Sequence, residues 1–212
     1  MQATPQPVHE AAAGHAEAIN ALGSRAFGVS WSLAFPRPGN LHSTITQSPR
    51  NGWAFTVTLD DNNQVTGFAV IKPHMGEGHV MHESVWCELA FVAVADTHRG
   101  HGLGTYLVAD ARRRALAAGR LGMMATIQTK SVDWYSRLGW RIGDHSHALV
   151  IPDVRTRRYG PMVWIHQSRM THPRWAWTRL DSTRPVTAWT SRGGHVAQRD
   201  LLAELAAQEA WT

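Results

Sequence analysis

The six residues Arg99-Gly100-His101-Gly102-Leu103-Gly104 follow an apolar run, Glu88 to Ala95, and open a run with helical spacing, Leu103 to Ala118. A buried strand that must pass into a helix through three closely spaced glycines constrains the fold more than any other stretch of this chain. The glycines leave backbone N–H groups uncovered, and the helix adds its unpaired first-turn donors and the positive end of its dipole. Such a turn suits a phosphate or a pyrophosphate. Leu103, Leu107, Ala111 and Ala115 then form one helical stripe, and Gly119 supplies a stop.

At 212 residues the chain can fill one core, burying roughly 70% of its unfolded surface. Apolar residues make up 43% and charged residues 17%, a globular balance rather than a disordered one. No apolar run approaches a membrane span, and Met1 to Asn20 lacks the basic start and apolar centre of a secretory signal. The expectation is a cytoplasmic protein. Its only cysteine, Cys87, excludes an intramolecular disulfide and fits a reducing compartment.

The net charge of +5 is unevenly placed. Residues 1–153 hold 12 basic and 12 acidic side chains, whereas residues 154–212 hold nine arginines against Asp181, Asp200, Glu204 and Glu209. The same end carries Trp164, Trp175, Trp177, Trp189 and Trp211. Arginine mixed with aromatics can track phosphates and stack on bases, and an Arg-rich surface over a Trp-rich core has the same composition.

Along the chain, residues 8–23 read as an alanine-rich helix stopped by Gly23, and Phe35 to Gly52 as a polar connector. Alternation from Trp53 to Leu59 and from Val65 to Ile71, around Asp60-Asp61-Asn62-Asn63, predicts a hairpin. Leu121 to Gln128 reads as a buried strand, Ser131 to Leu138 as a short helix, and Trp140 to Ile142, Ala148 to Ile151 and Met162 to His166 as strands. From Thr171 to Gly194 periodicity fades, and Gln198 to Ala210 reads as a final amphipathic helix. This order predicts an α/β (α+β) domain, a mixed central β-sheet flanked by helices, over residues 1–168, and a basic, Trp-rich C-terminal extension over 169–212.

A glycine-rich turn alone is a weak signal, because dinucleotide folds carry G-x-G-x-x-G at the same junction. Here a helix and a hairpin come first, and no acid lies near Gly119 to Met124 to hold a ribose. From Trp53 to His166 the chain instead resembles the GNAT superfamily of N-acetyltransferases. That family's acetyl-CoA signature is met by Arg99, Gly102 and Gly104, and a second one by Trp134-Tyr135-Ser136-Arg137-Leu138-Gly139-Trp140. Many members carry Asn where this chain has Gln128, whose amide keeps a donor and an acceptor on a longer stem.

The resemblance implies acetyl-CoA as co-substrate and direct attack of a primary amine on the bound thioester. It implies that Phe91, Val92, Ala93 and Val94 pair with the pantetheine arm, with Gln128 beside them. Gly100, His101, Gly102, Leu103 and Gly104, with Arg99, would hold the pyrophosphate. Tyr135 would protonate the leaving thiolate, and Glu88, 11 residues before Arg99, is the first candidate for the general base.

Cys87 beside Glu88 reads as a buried core residue. The pairs His79/His82, His98/His101 and His145/His147 have ligand-like spacings, but no Cys or carboxylate completes a site, so no metal is expected. His82 and His101 are auxiliary acid-base candidates, and Arg112-Arg113-Arg114 reads as a solvated helix surface. The partner is an amine-bearing acceptor. A nucleic-acid-linked acceptor, such as an aminoacyl-tRNA or a modified nucleobase, is the first alternative, and a non-catalytic acyl-CoA-binding module the second. The oligomeric state is open, a homodimer being one choice.

Overall fold

The computed structural model describes residues 8–37, 39–73, 85–153, 162–166, 174–184, 186 and 188–191. The elements run in the order β1 (Val8–Glu10), α1 (Ala16–Phe27), α2 (Val29–Ala34), α3 (Asn40–Asn51), β2 (Ala54–Leu59), β3 (Val65–Pro73), β4 (Trp86–Val94) and α4 (Leu103–Ala117). They continue with β5 (Gly122–Ile127), α5 (Val132–Arg137), β6 (Arg141–Ile142), β7 (Ala148–Asp153), β8 (Met162–His166), β9 (Arg174–Arg179) and β10 (Trp189–Ser191). A seven-stranded sheet has the order β1-β2-β3-β4-β5-β9-β6, and a three-stranded sheet the order β10-β7-β8. Among the described pairs only β4 and β5 run parallel, joined by the crossover through α4. The mixed α/β class expected from the sequence is the class observed.

Each face of the large sheet has its own cover, set by strand alternation. The α4 stripe of Leu107, Val108, Ala111 and Ala115 packs on Ala69, Ile71, Cys87, Leu89, Met123, Ala125 and Ile127. On the opposite face Ile19, Leu22, Trp31, Leu41 and Ile45 of the first three helices cover Phe55, Val57, Phe68, Val70 and Phe91. Beyond them the small sheet takes over, its Leu149 and Ile151 packing with Trp86, Met124, Trp175 and Trp177. Each of these large apolar side chains contributes on the order of 1.5–3 kcal/mol by leaving water.

Three local expectations change. Residues 8–10 form an edge strand rather than the start of a helix, because Val8 and Glu10 pair with Thr58 and Thr56. Gly23 does not stop α1. It lies inside the helix beneath Trp31, whose indole would come within 2.5 Å of a Cβ placed there, and the helix ends at Gly28 with φ +52°. Within the Phe35–Gly52 connector lies α3, whose Leu41, Ile45 and Ser48 are buried at helical spacing. Its polar composition hid it.

Part of the segment beyond residue 168 belongs to the large sheet. β9 fills the gap between β5 and β6, with Met124 opposite Trp177 and Ile142 opposite Ala176. Trp175 and Trp177 are buried on one side of that strand and Ala176 on the other, so the large sheet is completed only by residues placed in the extension. The expected helix at Gln198–Ala210, and His79 and His82, lie outside the described residues. No helix among the described residues is long and apolar enough to cross a membrane.

Candidate active site

β4 and β5 are paired at Trp86–Gly122, Cys87–Met123 and Glu88–Met124 and then part. The cause lies on the other side of β4. Its register with β3 passes from Val70–Phe91 to Ile71–Leu89, which leaves Ala90 without a partner as a β-bulge. A bulge bends its strand and increases the local twist, so β4 swings away from β5 just beyond the last shared pair. The opening is a cavity of about 270 Å³ lined by Leu89 to Val94, by Thr126 to Gln128, by Ser131, Trp134 and Tyr135, and by Ala26 and Phe27 from the end of α1.

A second cavity, of about 460 Å³, lies against the glycine turn and is lined by His98, Arg99, Gly100, Gly102, Leu103, Gly104 and Thr105. The two share Val92, Val94, Arg99, Ser131 and Trp134, and so form one groove from the start of α4 to the parted strands. Gly100 and Gly102 adopt φ of +82° and +81°, a region closed to most side chains. Gly102 is the N-cap of α4, and its carbonyl accepts from the N–H groups of Thr105 and Tyr106. The N–H groups of Leu103 and Gly104, the first two of α4, have no intrahelical acceptor and lie beside this cavity, as anion binding requires.

Arg99 is fixed to the turn by its Nε donating to the Val94 carbonyl at 3.2 Å and by Nη1 pairing with Asp96 Oδ1 at 2.8 Å. His101 is exposed, with Nδ1 3.4 Å from the His98 carbonyl, and is not among the groove's lining residues. Phe91, Val92, Ala93, Val94, Gln128 and Tyr135 are brought together around the smaller cavity. Tyr135 is buried between Trp134 and Trp140, whose rings meet it edge-on at 4.8 and 5.1 Å. Burial pushes its phenol pKa well above the ordinary value, so it is a proton donor through the neutral range.

Glu88 stands apart from that group. It does not line the groove, and its Oε2 is 2.8 Å from Nζ of Lys72, its cross-strand partner on β3. Cys87 is buried on the α4 face, where burial, outweighing the nearby Arg120, pushes its thiol pKa up to about 12. It carries no thiolate at neutral pH.

His98 contacts Thr97, His145 contacts Ser146 and His147 lies 3.5 Å from Asp144, and among the described residues no three His, Cys, Asp or Glu side chains could hold a metal. The arginine run is more engaged than a solvated surface. Arg113 and Arg114 pair with Asp110, and Arg112 donates to the carbonyls of Leu138 and Arg179.

Several groove residues were not legible as site residues. Ala90 carries no sequence mark, because a bulge depends on how two strands pair. Ala26 and Phe27 come from a helix of the opposite layer. Ser131 and Trp134 lie between Gln128 and Tyr135, and that proximity was the available signal.

Residues 51–142 match the family model described as the acetyltransferase (GNAT) domain. Solved structures share the fold. A phosphinothricin acetyltransferase from Sinorhizobium meliloti, in complex with AcCoA, is 18% identical with a TM-score of 0.59, over 87% of this chain and 94% of that one. A putative acetyltransferase, yncA, from Salmonella typhimurium with its cofactor acetyl-CoA is 18% identical with a TM-score of 0.57, over 86% of this chain and 98% of that one. A ribosomal-protein-alanine N-acetyltransferase from Brucella melitensis is also 18% identical with a TM-score of 0.57, over 82% and 99% of the two chains. No curated protein matches at a significant level. Residues 51–142 thus constitute an acetyltransferase domain of the GNAT family.

Proposed function

We propose that the protein transfers an acetyl group from acetyl-CoA to a primary amine by direct attack in a ternary complex. The observation that carries this reading is the single groove running from the glycine turn to the parted ends of β4 and β5, with Tyr135 at its inner end. The glycine turn and the α4 N-terminus receive the pyrophosphate, with Arg99 beside them. The backbone from Phe91 to Val94, freed from β5, offers its edge to the pantetheine amides, and Gln128 faces it.

The thioester supplies an activated acyl carbon and a thiolate leaving group. As the amine adds, negative charge develops on the acyl oxygen, and the backbone of Ala90, skipped in the β3 ladder and lining the cavity, supports a role in stabilising it. The Tyr135 hydroxyl donates its proton to the departing sulfur. Glu88, one residue before the cavity-lining Leu89 and paired with Lys72, is the carboxylate assigned to take the proton of the amine. Cys87, fully buried as a thiol, argues for attack without a covalent enzyme intermediate.

Incubating the full chain with acetyl-CoA and a panel of amines, tRNA and DNA, and following free thiol release, tests the reading. Thiol release that requires an amine is the expected result. Binding of acetyl-CoA with no release on any acceptor would favour the non-catalytic module. The nucleic-acid-linked acceptor rests on the nine arginines of residues 154–212. It predicts a steep fall of acceptor binding with salt, but Trp175 and Trp177 are buried and offer no stacking surface to bases.

A further inference from the structure

We infer that Phe27, the last residue of α1, limits the acyl group of the donor to acetyl. The inference rests on reading the groove as an acyl-CoA site. Leu89, Ala90 and Tyr135 line the smaller cavity and not the larger, which marks the reacting end of the groove. Among the described residues, those that line that end from the opposite helical layer are Ala26 and Phe27, and Phe27 is the large one. An acyl chain lengthening beyond the thioester carbonyl therefore meets the Phe27 ring.

The ring cannot yield readily. Its centroid is 4.9 Å from that of Phe91, edge-on, 6.3 Å from Trp31 and 6.4 Å from Phe68. Trp31 and Phe68 are themselves fully buried. The backbone is pinned as well. Gly28 follows at φ +52°, ψ −121°, and its N–H donates to the Ser24 carbonyl at 2.9 Å. The Phe27 ring is half-buried against this core, and pushing it inward forces the buried neighbours Trp31 and Phe68 out of their rotamers. Discrimination per methylene in an apolar pocket is about 10–200-fold.

Equilibrium binding of acetyl-, propionyl-, butyryl- and hexanoyl-CoA to the full chain, without acceptor, tests this in the native sequence, Phe27→Ala and Phe27→Leu. The wild-type chain is expected to favour acetyl- over butyryl-CoA by about 10-fold or more. In Phe27→Ala that ratio falls to near unity or reverses, and Phe27→Leu lies between. The same ratio in the native chain and the variants overturns the inference, as does a native chain that binds butyryl- as tightly as acetyl-CoA. If Phe27→Ala fails to fold, the ratio in Phe27→Leu decides, with a shift of about threefold expected from its smaller side chain. A native chain that binds none of the four overturns the donor reading itself, whereas tight acetyl-CoA binding with an unchanged ratio overturns only the role of Phe27.

Discussion

Lys72 and Glu88 face each other across β3 and β4, with Nζ 2.8 Å from Oε2 and both side chains largely withdrawn from water. The carboxylate that resembles the family's base is thus held by a neighbouring cation just outside the cavity that would contain the acetyl group. A structural ion pair and a positioned base make different predictions. With Glu88 as base, Glu88→Gln lowers kcat by about 100-fold or more and removes its dependence on a titrating base. An unchanged kcat from about pH 6 to 9 would leave Glu88 a purely structural residue. Lys72→Met strands the carboxylate and costs about 3 kcal/mol, read as a lower denaturant midpoint.

Tyr135 is tested by removing one oxygen. Tyr135→Phe keeps the packing against Trp134 and Trp140 but removes the proton donor. The expected result is a fall in kcat of about 100-fold or more, much larger than any change in acetyl-CoA affinity. Because burial raises the phenol pKa, Tyr135 stays protonated past about pH 10. An alkaline limb below that pH therefore belongs to another group. Equal turnover in the variant sinks the assignment.

Gly104 sets the spacing between α4 and α5. A Cβ built there would meet Cζ2 of Trp134 at 3.2 Å, and Trp134 is shared by both cavities of the groove. Gly104→Ala is expected to displace the indole, to cost about 1 kcal/mol or more, and to weaken acetyl-CoA binding several-fold. Titration of the variant with acetyl-CoA measures it, and native affinity would show that the indole moves freely.

Alkaline stability reports on Cys87. Its folded pKa is raised from 9.0 to about 12, so the native state keeps the proton while the unfolded chain loses it. The thiol's contribution is therefore fully present below the unfolded pKa and is lost as pH rises from 9.0 to about 12. The expected slope is about −1.4 kcal/mol per pH unit. Urea unfolding of the native chain and Cys87→Ala, compared across that range, checks it. Parallel curves would refute it.

Removing residues 169–212 deletes β9, which lies between β5 and β6. It removes the buried Trp175, Ala176 and Trp177 and leaves the backbone of β5 unpaired along one edge. The 1–168 fragment is expected to show no cooperative unfolding transition. A cooperative fragment that still bound acetyl-CoA would support a domain boundary at 168. Salt dependence in the full chain is consequently the sound test of a nucleic-acid acceptor.

Local patterning in the sequence determined the elements around the groove. The alternation of Trp53 to Leu59, the glycines from Gly100 to Gly104 and the stripe from Leu103 to Ala115 each act within a few residues of themselves. That is why β2, β4 and α4, and the turn between the last two, were legible. Tertiary structure decided what depends on distant partners. β1 forms because β2 offers an edge, and Gly23 stays helical because Trp31 needs the space. β9 is a strand because β5 and β6 leave a gap of one strand's width. Ala90 bulges through a pairing choice between β3 and β4, Phe27 reaches the groove from another layer, and Glu88 meets Lys72 across a ladder. Chain periodicity records which face a residue presents, and only packing determines what meets that face.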